Sequence, residues 1–405
     1  MPSPHAPTLT PERDVLAAPG WITLLLAVSC GLVVANLYYA QPLIGPIGAA
    51  LGLPPGLAGL IVTLTQVGYG LGLLFIVPLA DIVDNRRLVV VLLGVCAAAL
   101  LGEAFMAHAV PFLAGALLIG ISAVAVQVLV PYAAHLVPEA QRGRTVGNVM
   151  SGLMLGIMLA RPAAGLVAGL WSWHAVFVLS ALVTALVAAL LAWKLPPYRP
   201  VRGLGYGGLL RSMGYLLLGT PVLVRRAFYQ AGLFGAFSLF WTTVPLHLAG
   251  PAFGLSSAGI ALFALVGVTG AIAAPIAGRL ADRGWSRPMT GIAILVSAAS
   301  FLLMHLGHDG SHTALVLLAL GAVLLDFGVS ANLVLGQRAI FSLGEGVRGR
   351  LNGLFMAIFF VGGAAGSAAG GRAAVFHDGT CRSLRIRAFS DTGCCIPVAP
   401  PLTPW

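Results

Sequence analysis

Three ionisable side chains lie inside long apolar stretches of this sequence. They are Glu103 in GVCAAALLGEAFMAH, Arg161 in GIMLARPAAG and Asp326 in AVLLDFGVSANLVLG. An ionisable residue at the centre of a membrane helix costs about 2.5–3.5 kcal/mol on insertion scales, so such residues are functional candidates by default. A carboxyl group that leaves water binds a proton more readily near neutral pH. The chemistry that these residues indicate is the binding and release of a proton or another ion.

Asp326 and Glu103 are the candidates for proton coupling. Asp326 lies near the middle of its apolar stretch, whereas Glu103 is closer to one end, from which its carboxylate could reach water. For both carboxyl groups, the alternative is a structural hydrogen bond. Arg161 keeps its charge at physiological pH, so it cannot carry the proton. It would either bind an anionic substrate or hold a carboxylate.

The composition predicts an all-α membrane protein around these groups. The chain has 405 residues, of which 59% are hydrophobic and only 8% charged, whereas soluble domains carry roughly 25% charged residues. Apolar runs of about 20 residues, which suffice for a helix that crosses a bilayer, recur along the chain. The strands of a membrane barrel would instead alternate at every second residue. The lipid bilayer is therefore the expected surrounding partner.

Eleven membrane spans are predicted from the apolar runs and the polar breaks between them. They cover about residues 20–39, 57–79, 88–107, 111–133, 146–169, 174–193, 227–248, 257–277, 288–306, 313–336 and 351–371. Proline and arginine residues mark a linker with a short surface helix near 209–218. The predicted organisation is a leader (1–19), an N-terminal six-helix bundle (20–193), the linker (194–226), a C-terminal bundle of five spans (227–371) and a tail (372–405).

The distribution of positive charge predicts the orientation of the chain. A net charge of +10 could indicate nucleic acid binding, but the basic residues cluster in the loops on the side of the N-terminus. The loops on the opposite side, around residues 45–56, 108–111, 171–174, 249–256 and 307–313, contain no Lys or Arg. This bias is typical of a membrane protein whose N-terminus is cytoplasmic. We expect a multi-pass protein of the plasma (bacterial inner) membrane and no nucleic acid partner.

Two motifs recur in the same order in the two halves. PLADIVDNRR, with Asp81, and GRLADRG, with Asp282, each follow an apolar run. PEAQRGRT and GEGVRGRL recur at nearly the same spacing, roughly 200 residues. Their equivalent residues are Glu139, Arg142 and Arg144 in the first copy and Glu345, Arg348 and Arg350 in the second. The repeat predicts two homologous bundles of about six helices each.

The repeated motifs resemble those of the major facilitator superfamily. In that family the loop between the second and third helices reads Gly-x-x-x-Asp-Arg/Lys-x-Gly-Arg-Arg/Lys. The second copy here supplies Gly278, Asp282 and Arg283. The first copy keeps Asp81, Arg86 and Arg87, but has Pro78 near the expected Gly and Ile82 in place of the first basic residue. The resemblance runs from about residue 20 to 371 and implies a secondary transporter for a small molecule, not an enzyme.

These motifs form a candidate cytoplasmic gate. Asp81 and Asp282 could pair with arginines and with the positive ends of neighbouring helices, and so latch the two halves in one state. The alternative is that the basic residues only anchor the topology. The gate candidates are Asp81, Arg86, Arg87, Glu139, Arg142, Arg144, Gly278, Asp282, Arg283, Glu345, Arg348 and Arg350.

Within the superfamily, NLYYAQP at residues 36–42 and the fifth span resemble bacterial proton-coupled efflux carriers. The fifth span carries Gly152, Gly156, Pro162 and Gly165, but has Ala160 and Arg161 directly before the proline. The glycines could equally serve only for close helix packing. In the family the first, fourth and seventh helices face a central cavity. The cavity candidates are Asn36, Tyr39, Gln41, Gln127, Arg161, Gln230 and Trp241.

Neither a phosphate-binding loop nor a His/Cys metal cluster is recognisable, so no cofactor or metal is expected. Without a site for ATP, transport would depend on an ion gradient, for which a proton gradient is the candidate, or would run downhill.

The tail breaks the repeat. A twelfth span should follow residue 371, but residues 372–405 contain several arginines, three cysteines and four prolines, and no apolar run long enough to cross a bilayer. The twelfth helix is therefore predicted to be missing, and a shifted reading frame near residue 372 would produce this. The alternative function is a non-transporting sensor built on a carrier fold or an inactive truncated product.

Overall fold

The computed structural model describes residues 20–200, 205–269, 273, 276–280, 283–308, 310–344 and 347–390, the last 18 of these by their backbone alone. Within these ranges, every regular element is helical, which confirms the predicted all-α class. The α-helices are α1 (Gly20–Ala35), α2 (Ile44–Ala50), α3 (Leu60–Phe75), α4 (Asn85–Phe105), α5 (Ala109–Ala123), α6 (Ala125–His135), α7 (Glu139–Leu170), α8 (Trp173–Lys194), α9 (Tyr206–Gly219), α10 (Pro221–Ala249), α11 (Ser257–Ala264), α12 (Ser286–Met304), α13 (His312–Phe341) and α14 (Arg348–Ser390).

The helices match the apolar runs of the sequence. In the described part of the chain, nine helical stretches are long and apolar enough to cross a membrane, with α5 and α6 forming one of them. Two shorter apolar helices, Gly20–Ala35 and Ser257–Gly267, fall on the predicted first and eighth spans. Polar side chains cap several starts: Asp84 accepts a hydrogen bond from the backbone N–H of Arg87, and Ser172 accepts one from that of Ala175. The spans therefore begin where polar residues interrupt the apolar sequence.

Each half contains a pair of helices packed through glycines. In the N-terminal half, α1 lies against α7, and a Cβ added to Gly156 would overlap the carbonyl oxygen of Gly31. In the C-terminal half, α10 lies against α14, and a Cβ added to Gly366 would overlap the carbonyl oxygen of Gly235. Small residues allow such close approach of membrane helices. Both pairs join the first and fifth spans of a half, as two homologous bundles require.

The two halves touch at the ends of the spans that lie opposite the arginine-rich loops. Gly59, just before α3, is so close to α14 that an added Cβ would lie 2.6 Å from the carbonyl oxygen of Ser367. On the other side of the interface, a Cβ at Gly165 of α7 would lie 2.7 Å from the Cβ of Ala261 in α11. The helix pairs α3–α14 and α7–α11 therefore close this end of the interface.

The predicted linker and the beginning of the predicted tail both contain helix. Helix α9 lies in the linker, where the sequence predicts a short surface helix. Helix α14 continues beyond the predicted end of the eleventh span at residue 371 and ends at Ser390, although its apolar part ends at Arg372. The rest of the predicted tail, residues 391–405, lies outside the described residues, as does the whole of the predicted leader, residues 1–19. The division into domains stays a prediction.

Candidate functional site

The first span is broken where it approaches the other half. Helix α1 ends at Ala35, turns follow, and a short 3₁₀ segment, Gln41–Leu43, leads into α2. Pro42 lies at the start of the 3₁₀ segment and has no N–H group with which to continue an α-helix. Gln41 is completely buried at this break. An amide side chain is thus held inside the molecule at the end of a helix.

Arg161 of α7 lies against this break. Its Nε donates a hydrogen bond of 2.6 Å to Oε1 of Gln41, and only 3% of Arg161 is exposed. The guanidinium carbon lies 5.0 Å from the ring centres of Tyr38 and Phe237 and 4.5 Å from that of Trp241. Aromatic faces attract cations at such distances, and more strongly where water is excluded. Three rings and one amide oxygen therefore stabilise a buried positive charge.

Asp326 of α13 supplies the opposite charge. Its Oδ1 accepts a hydrogen bond of 3.1 Å from the indole Nε1 of Trp241, and the residue is 4% exposed. The charges of Asp326 and Arg161 attract each other. Because Arg161 belongs to the N-terminal half and Asp326 to the C-terminal half, this attraction acts across the interface between the halves.

The eighth span is also irregular beside Asp326. Helix α11 ends at Ala264 and continues as the 3₁₀ segment Leu265–Thr269. A Cβ added to Gly267 in this segment would lie 2.8 Å from Oδ2 of Asp326. The backbone therefore comes within reach of the carboxylate only because residue 267 has no side chain. Two interrupted spans, one in each half, meet the charged pair.

The structure brings together four residues that the sequence predicts as site residues: Gln41, Arg161, Trp241 and Asp326. Three further contributors were missed. Phe237 does not stand out among many apolar residues, and Gly267 resembles the other glycines of the spans. Tyr38 was missed in favour of its neighbour Tyr39, which packs half-buried against the N-terminal bundle. The break after Ala35 decides which of the two tyrosines faces the charged pair.

Glu103 lies elsewhere, inside the N-terminal bundle. It is 2% exposed, so its carboxylate does not reach water as the sequence position suggested. Its side chain packs on Gly115 of α5, where an added Cβ would lie 2.9 Å from Cγ of Glu103. Among the described residues, Oε1 of Glu103 has no hydrogen-bond partner. Glu103 is thus a buried carboxyl group away from the interface that Asp326 occupies.

Two cavity candidates face the inside of their own bundles. The Asn36 amide donates to the hydroxyl of Thr184 and accepts a hydrogen bond from Ser180, both on α8. Gln230 accepts a hydrogen bond from Asn332 of α13. These contacts lie within one half in each case, so they stabilise the bundle rather than line the interface.

Gln127 belongs to a contact between halves. Its Nε2 donates a hydrogen bond of 3.0 Å to the hydroxyl of Tyr69 in α3, and the Tyr69 ring lies 4.4 Å from the ring of Phe360 in α14. Nearby, the Gln66 amide of α3 donates to the hydroxyl of Ser238 in α10. Gln66 could not be selected from the sequence, because a lone glutamine in an apolar span carries no spacing signal.

At the arginine-rich end, Asp81 interacts with a residue of the other half. Its charge is attracted to that of Arg350 in α14, whose Nη1 also donates a hydrogen bond of 2.7 Å to the hydroxyl of Ser212 in α9. Arg86 donates to the carbonyl oxygen of Ala192, within its own half. The gate motif therefore contains one electrostatic interaction across the interface and one hydrogen bond that anchors a helix end.

The other gate candidates are less informative. Arg142, Arg144, Arg283 and Arg348 are exposed, Gly278 is partly exposed, and Nε of Arg348 donates to the carbonyl oxygen of Phe341. The backbone N–H of Arg87 binds the capping carboxylate of Asp84. Asp282 and Glu345 lie outside the described residues, and the side chain of Glu139 does too. Among the described residues, no group of His, Cys, Asp and Glu side chains could hold a metal ion.

Comparison with known sequences identifies relatives over most of the chain. A model of the Major Facilitator Superfamily matches residues 24–367. The uncharacterized transporter YgaY of Escherichia coli O157:H7 is 38% identical over 346 residues, which cover 85% of this chain and 87% of that protein. The probable transporter SCO4007 of Streptomyces coelicolor (strain ATCC BAA-471 / A3(2) / M145) is 36% identical over 351 residues, which cover 86% of this chain and 80% of that protein.

Solved structures share the fold at low identity. A bacterial homolog to the human lysosomal transporter Spinster, in an inward-facing and unoccupied conformation, has a TM-score of 0.73 at 16% identity and covers 94% of this chain and 87% of its own. A D-xylose-proton symporter has a TM-score of 0.65 at 16% identity and covers 86% of this chain and 88% of its own. The sequence match and the two-bundle fold agree: the chain belongs to the Major Facilitator Superfamily and is a multi-pass membrane transporter.

Proposed function

We propose that this transporter moves a small molecule by alternating access and couples that movement to protons at Asp326. The observation that carries the proposal is that Trp241 donates a hydrogen bond to Asp326 and also lies 4.5 Å from the guanidinium carbon of Arg161, so two oppositely charged, almost fully buried residues of different halves meet at one ring. A buried charge is costly unless it is paired. Protonation of Asp326 would remove one charge of the pair and so change the free energy of the contact between the halves.

The cycle follows from this contact. With Asp326 ionised, its attraction to Arg161 favours the arrangement in which the halves meet at the site. With Asp326 protonated, Arg161 is released for another partner, and the halves can rock about the central site so that it opens to the other side. A proton therefore shifts the population of the two arrangements because it binds them with different affinity.

The gate motif adds a second interaction that would have to break during the transport cycle. Asp81 and Arg350 attract each other across the interface at the arginine-rich end. We propose that this pair stabilises the state that is closed on that side, and that Asp282 has the equivalent role in the second half. The contacts of Gly59 with Ser367 and of Gly165 with Ala261 would have to separate when the opposite side opens.

The proposal also covers the direction of transport and the membrane in which the protein lies. The resemblance of residues 36–42 and of the fifth span to efflux carriers favours export. The arginine bias favours an N-terminus in the cytoplasm, and we propose that the protein lies in the plasma (bacterial inner) membrane. Export stays a prediction because Arg161 departs from the resembled pattern at the position that contacts Gln41 and Trp241.

Reconstituted vesicles test the proposal. Purified protein would be placed in liposomes with an imposed pH gradient, and the uptake of dyes, drugs and small organic anions would be followed in both gradient directions. We expect at least one compound to move with the gradient and the movement to stop when the gradient is collapsed. Gradient-driven loss of the compound from vesicles that mimic the cell would support export, and gradient-driven entry would reverse that prediction. No gradient-dependent flux of any compound would instead favour the non-transporting sensor or inactive product.

A further inference from the structure

We infer that Arg161 and Gln41 together bind the carboxylate of a small organic anion. This inference rests on the proposed transport function and specifies its substrate class. Its starting point is a pair of unsatisfied donors: among the described residues, neither Nη2 of Arg161 nor Nε2 of Gln41 has a hydrogen-bond partner. Both residues are more than nine-tenths buried, and a buried donor without a partner costs free energy. A ligand that accepts hydrogen bonds would recover that cost.

The chemistry of the two side chains selects an acceptor. Arginine only donates, so the Gln41 atom that faces Nε of Arg161 at 2.6 Å must be the amide oxygen. This contact determines the orientation of the Gln41 amide and leaves its nitrogen as a free donor. An amide N–H and a guanidinium N–H on joined side chains match the two oxygens of a carboxylate. A cationic ligand would find donors and a positive charge here, and would be repelled.

The surrounding rings describe the rest of the ligand. Tyr38, Phe237 and Trp241 lie 4.5–5.0 Å from the guanidinium carbon of Arg161 and surround it with apolar ring faces. When the halves part, these faces become available to an apolar or aromatic body attached to the carboxylate. The expected substrate is therefore a monocarboxylate with a hydrophobic body rather than a sugar, whose hydroxyl groups would need several further polar partners.

Charge balance links the anion to the proton. The described groups that act on the Asp326 charge are the guanidinium of Arg161 and the indole of Trp241, and the Tyr38 phenol acts on Arg161 in turn. The ionised pair is neutral, so an added anion leaves one uncompensated negative charge in a buried site. Protonation of Asp326 restores neutrality. The anion and the proton therefore bind together, so an inward proton gradient would drive uptake of the anion, the opposite of the direction that the resemblance to efflux carriers favours.

Ligand binding to the full-length protein in detergent tests the inference. The probes are benzoate, phenylacetate and octanoate, with benzamide and benzylamine as a neutral and a cationic analogue of benzoate. We expect at least one carboxylate to raise the apparent Tm of the protein in a saturable manner, and neither analogue to do so. Arg161→Lys, which keeps the charge but loses the fork of donors, and Gln41→Leu should each weaken carboxylate binding by roughly 10-fold to 100-fold.

A matched variant separates a local effect from general damage. Gln337 of α13 donates to Asn352, away from Arg161, so Gln337→Leu removes a partly buried glutamine without touching the pair. It should leave carboxylate affinity unchanged. Stabilisation by benzylamine instead of the carboxylates, no binding of any carboxylate, or unchanged affinity in a folded Arg161→Lys protein would each overturn the inference.

The proton link has its own measurement. Calorimetric titration in buffers of different ionisation enthalpy, over about pH 6 to 9, should show that the protein takes up protons when the anion binds. The uptake should reach a maximum of about one proton per bound anion. The uptake should be absent in Asp326→Asn. An anion that binds without proton uptake in the native protein would overturn the link. Binding without flux in vesicles would refute the proposed transport but keep this site, whereas flux of cations without anion binding would do the reverse.

Discussion

The indole Nε1 of Trp241 lies 3.1 Å from Oδ1 of Asp326 and donates a hydrogen bond to it. Both residues belong to the C-terminal half, on α10 and α13, and the same indole ring lies 4.5 Å from the guanidinium carbon of Arg161 in the N-terminal half. Trp241 therefore holds the carboxylate in place while it contacts the charge that must separate from it. The proposed coupling depends on this arrangement.

Asp326→Asn should abolish pH-driven transport while substrate binding persists. Asparagine has nearly the same shape and can still accept the hydrogen bond from Trp241, so the site should keep its geometry, but it cannot take up a proton. We expect loss of accumulation driven by a pH gradient in vesicles, with exchange of labelled for unlabelled substrate retained. Both rates would be measured on the same vesicle preparation.

Glu103→Gln is the matched control for this prediction. Glu103 is a second buried carboxyl group, but it packs on Gly115 within the N-terminal bundle and not at the interface. Coupled flux at the full rate in Asp326→Asn, together with its loss in Glu103→Gln, would move the proton role to Glu103. Loss in both variants would require two titrating sites.

A charge swap tests the contact between Asp81 and Arg350. Asp81→Lys places like charges opposite each other and should slow turnover, whereas the double variant Asp81→Lys/Arg350→Asp should restore much of it. Because Asp81 is exposed to water, we expect a coupling energy of about 0.2–1 kcal/mol between the two positions. The measurement is initial transport rate at equal amounts of inserted protein.

Arg211→Asp provides the comparison for the swap. Arg211 is an exposed residue of α9, so Asp81→Lys/Arg211→Asp has the same net charge without the restored pair. Equal rates in the two double variants would mean that only the overall charge of this face matters, as expected of a topological anchor.

Sequence patterns were sufficient for the architecture because hydrophobic length determines it. A helix that crosses a bilayer must be apolar over about 20 residues, so the spans could be located to within a few residues. The charged pair could also be identified, since Arg161 and Asp326 stand out against their apolar surroundings. Their proximity could not be predicted, because it depends on how residues of two different bundles meet.

The breaks in the helices were the harder feature. Pro42 is visible in the sequence, but α1 already ends at Ala35, seven residues earlier. This early end changes the direction of the following side chains, so that Asn36 points into the N-terminal bundle. The 3₁₀ segment that carries Gly267 follows a run without proline, so no residue in it signals the irregularity.

For the glycines of the fifth span, the sequence left open whether they serve helix packing or transport. Gly152 and Gly156 contact α1 closely, which establishes a packing role.

Gly156→Ala should destabilise the N-terminal bundle. A Cβ there would overlap the carbonyl oxygen of Gly31, and backbone cannot move aside as a side chain can. Overpacking of this kind costs about 1–3 kcal/mol. The apparent Tm in detergent should fall, whereas Gly94→Ala in α4, where an added Cβ meets nothing within 4 Å, should leave it unchanged or raise it slightly. A Gly156→Ala protein as stable as the native one would show that α1 and α7 can separate without cost.

The last prediction concerns the predicted absence of a twelfth span. In the N-terminal half, α4 packs on α8, the sixth span. In the most apolar stretch of α4, 44% of the residues are buried. The counterpart of α4 in the C-terminal half is α12, the third span of that half. Only 22% of the residues in its most apolar stretch are buried, and Leu295 and Leu302 are exposed. The difference is what the loss of a sixth helix from the second bundle would produce.

A variant in which an apolar span replaces residues 372–405 tests that explanation. The added helix would have the exposed face of α12 to pack against, by the geometry that α8 uses on α4, so van der Waals contacts between helices would replace contacts with lipid. We expect a higher apparent Tm in detergent than that of the native chain. A polar, non-spanning replacement of the same length serves as the control and should give no gain. If the native residues 372–405 proved to be protected from protease within the bilayer, the predicted non-spanning tail and the count of eleven spans would both be wrong.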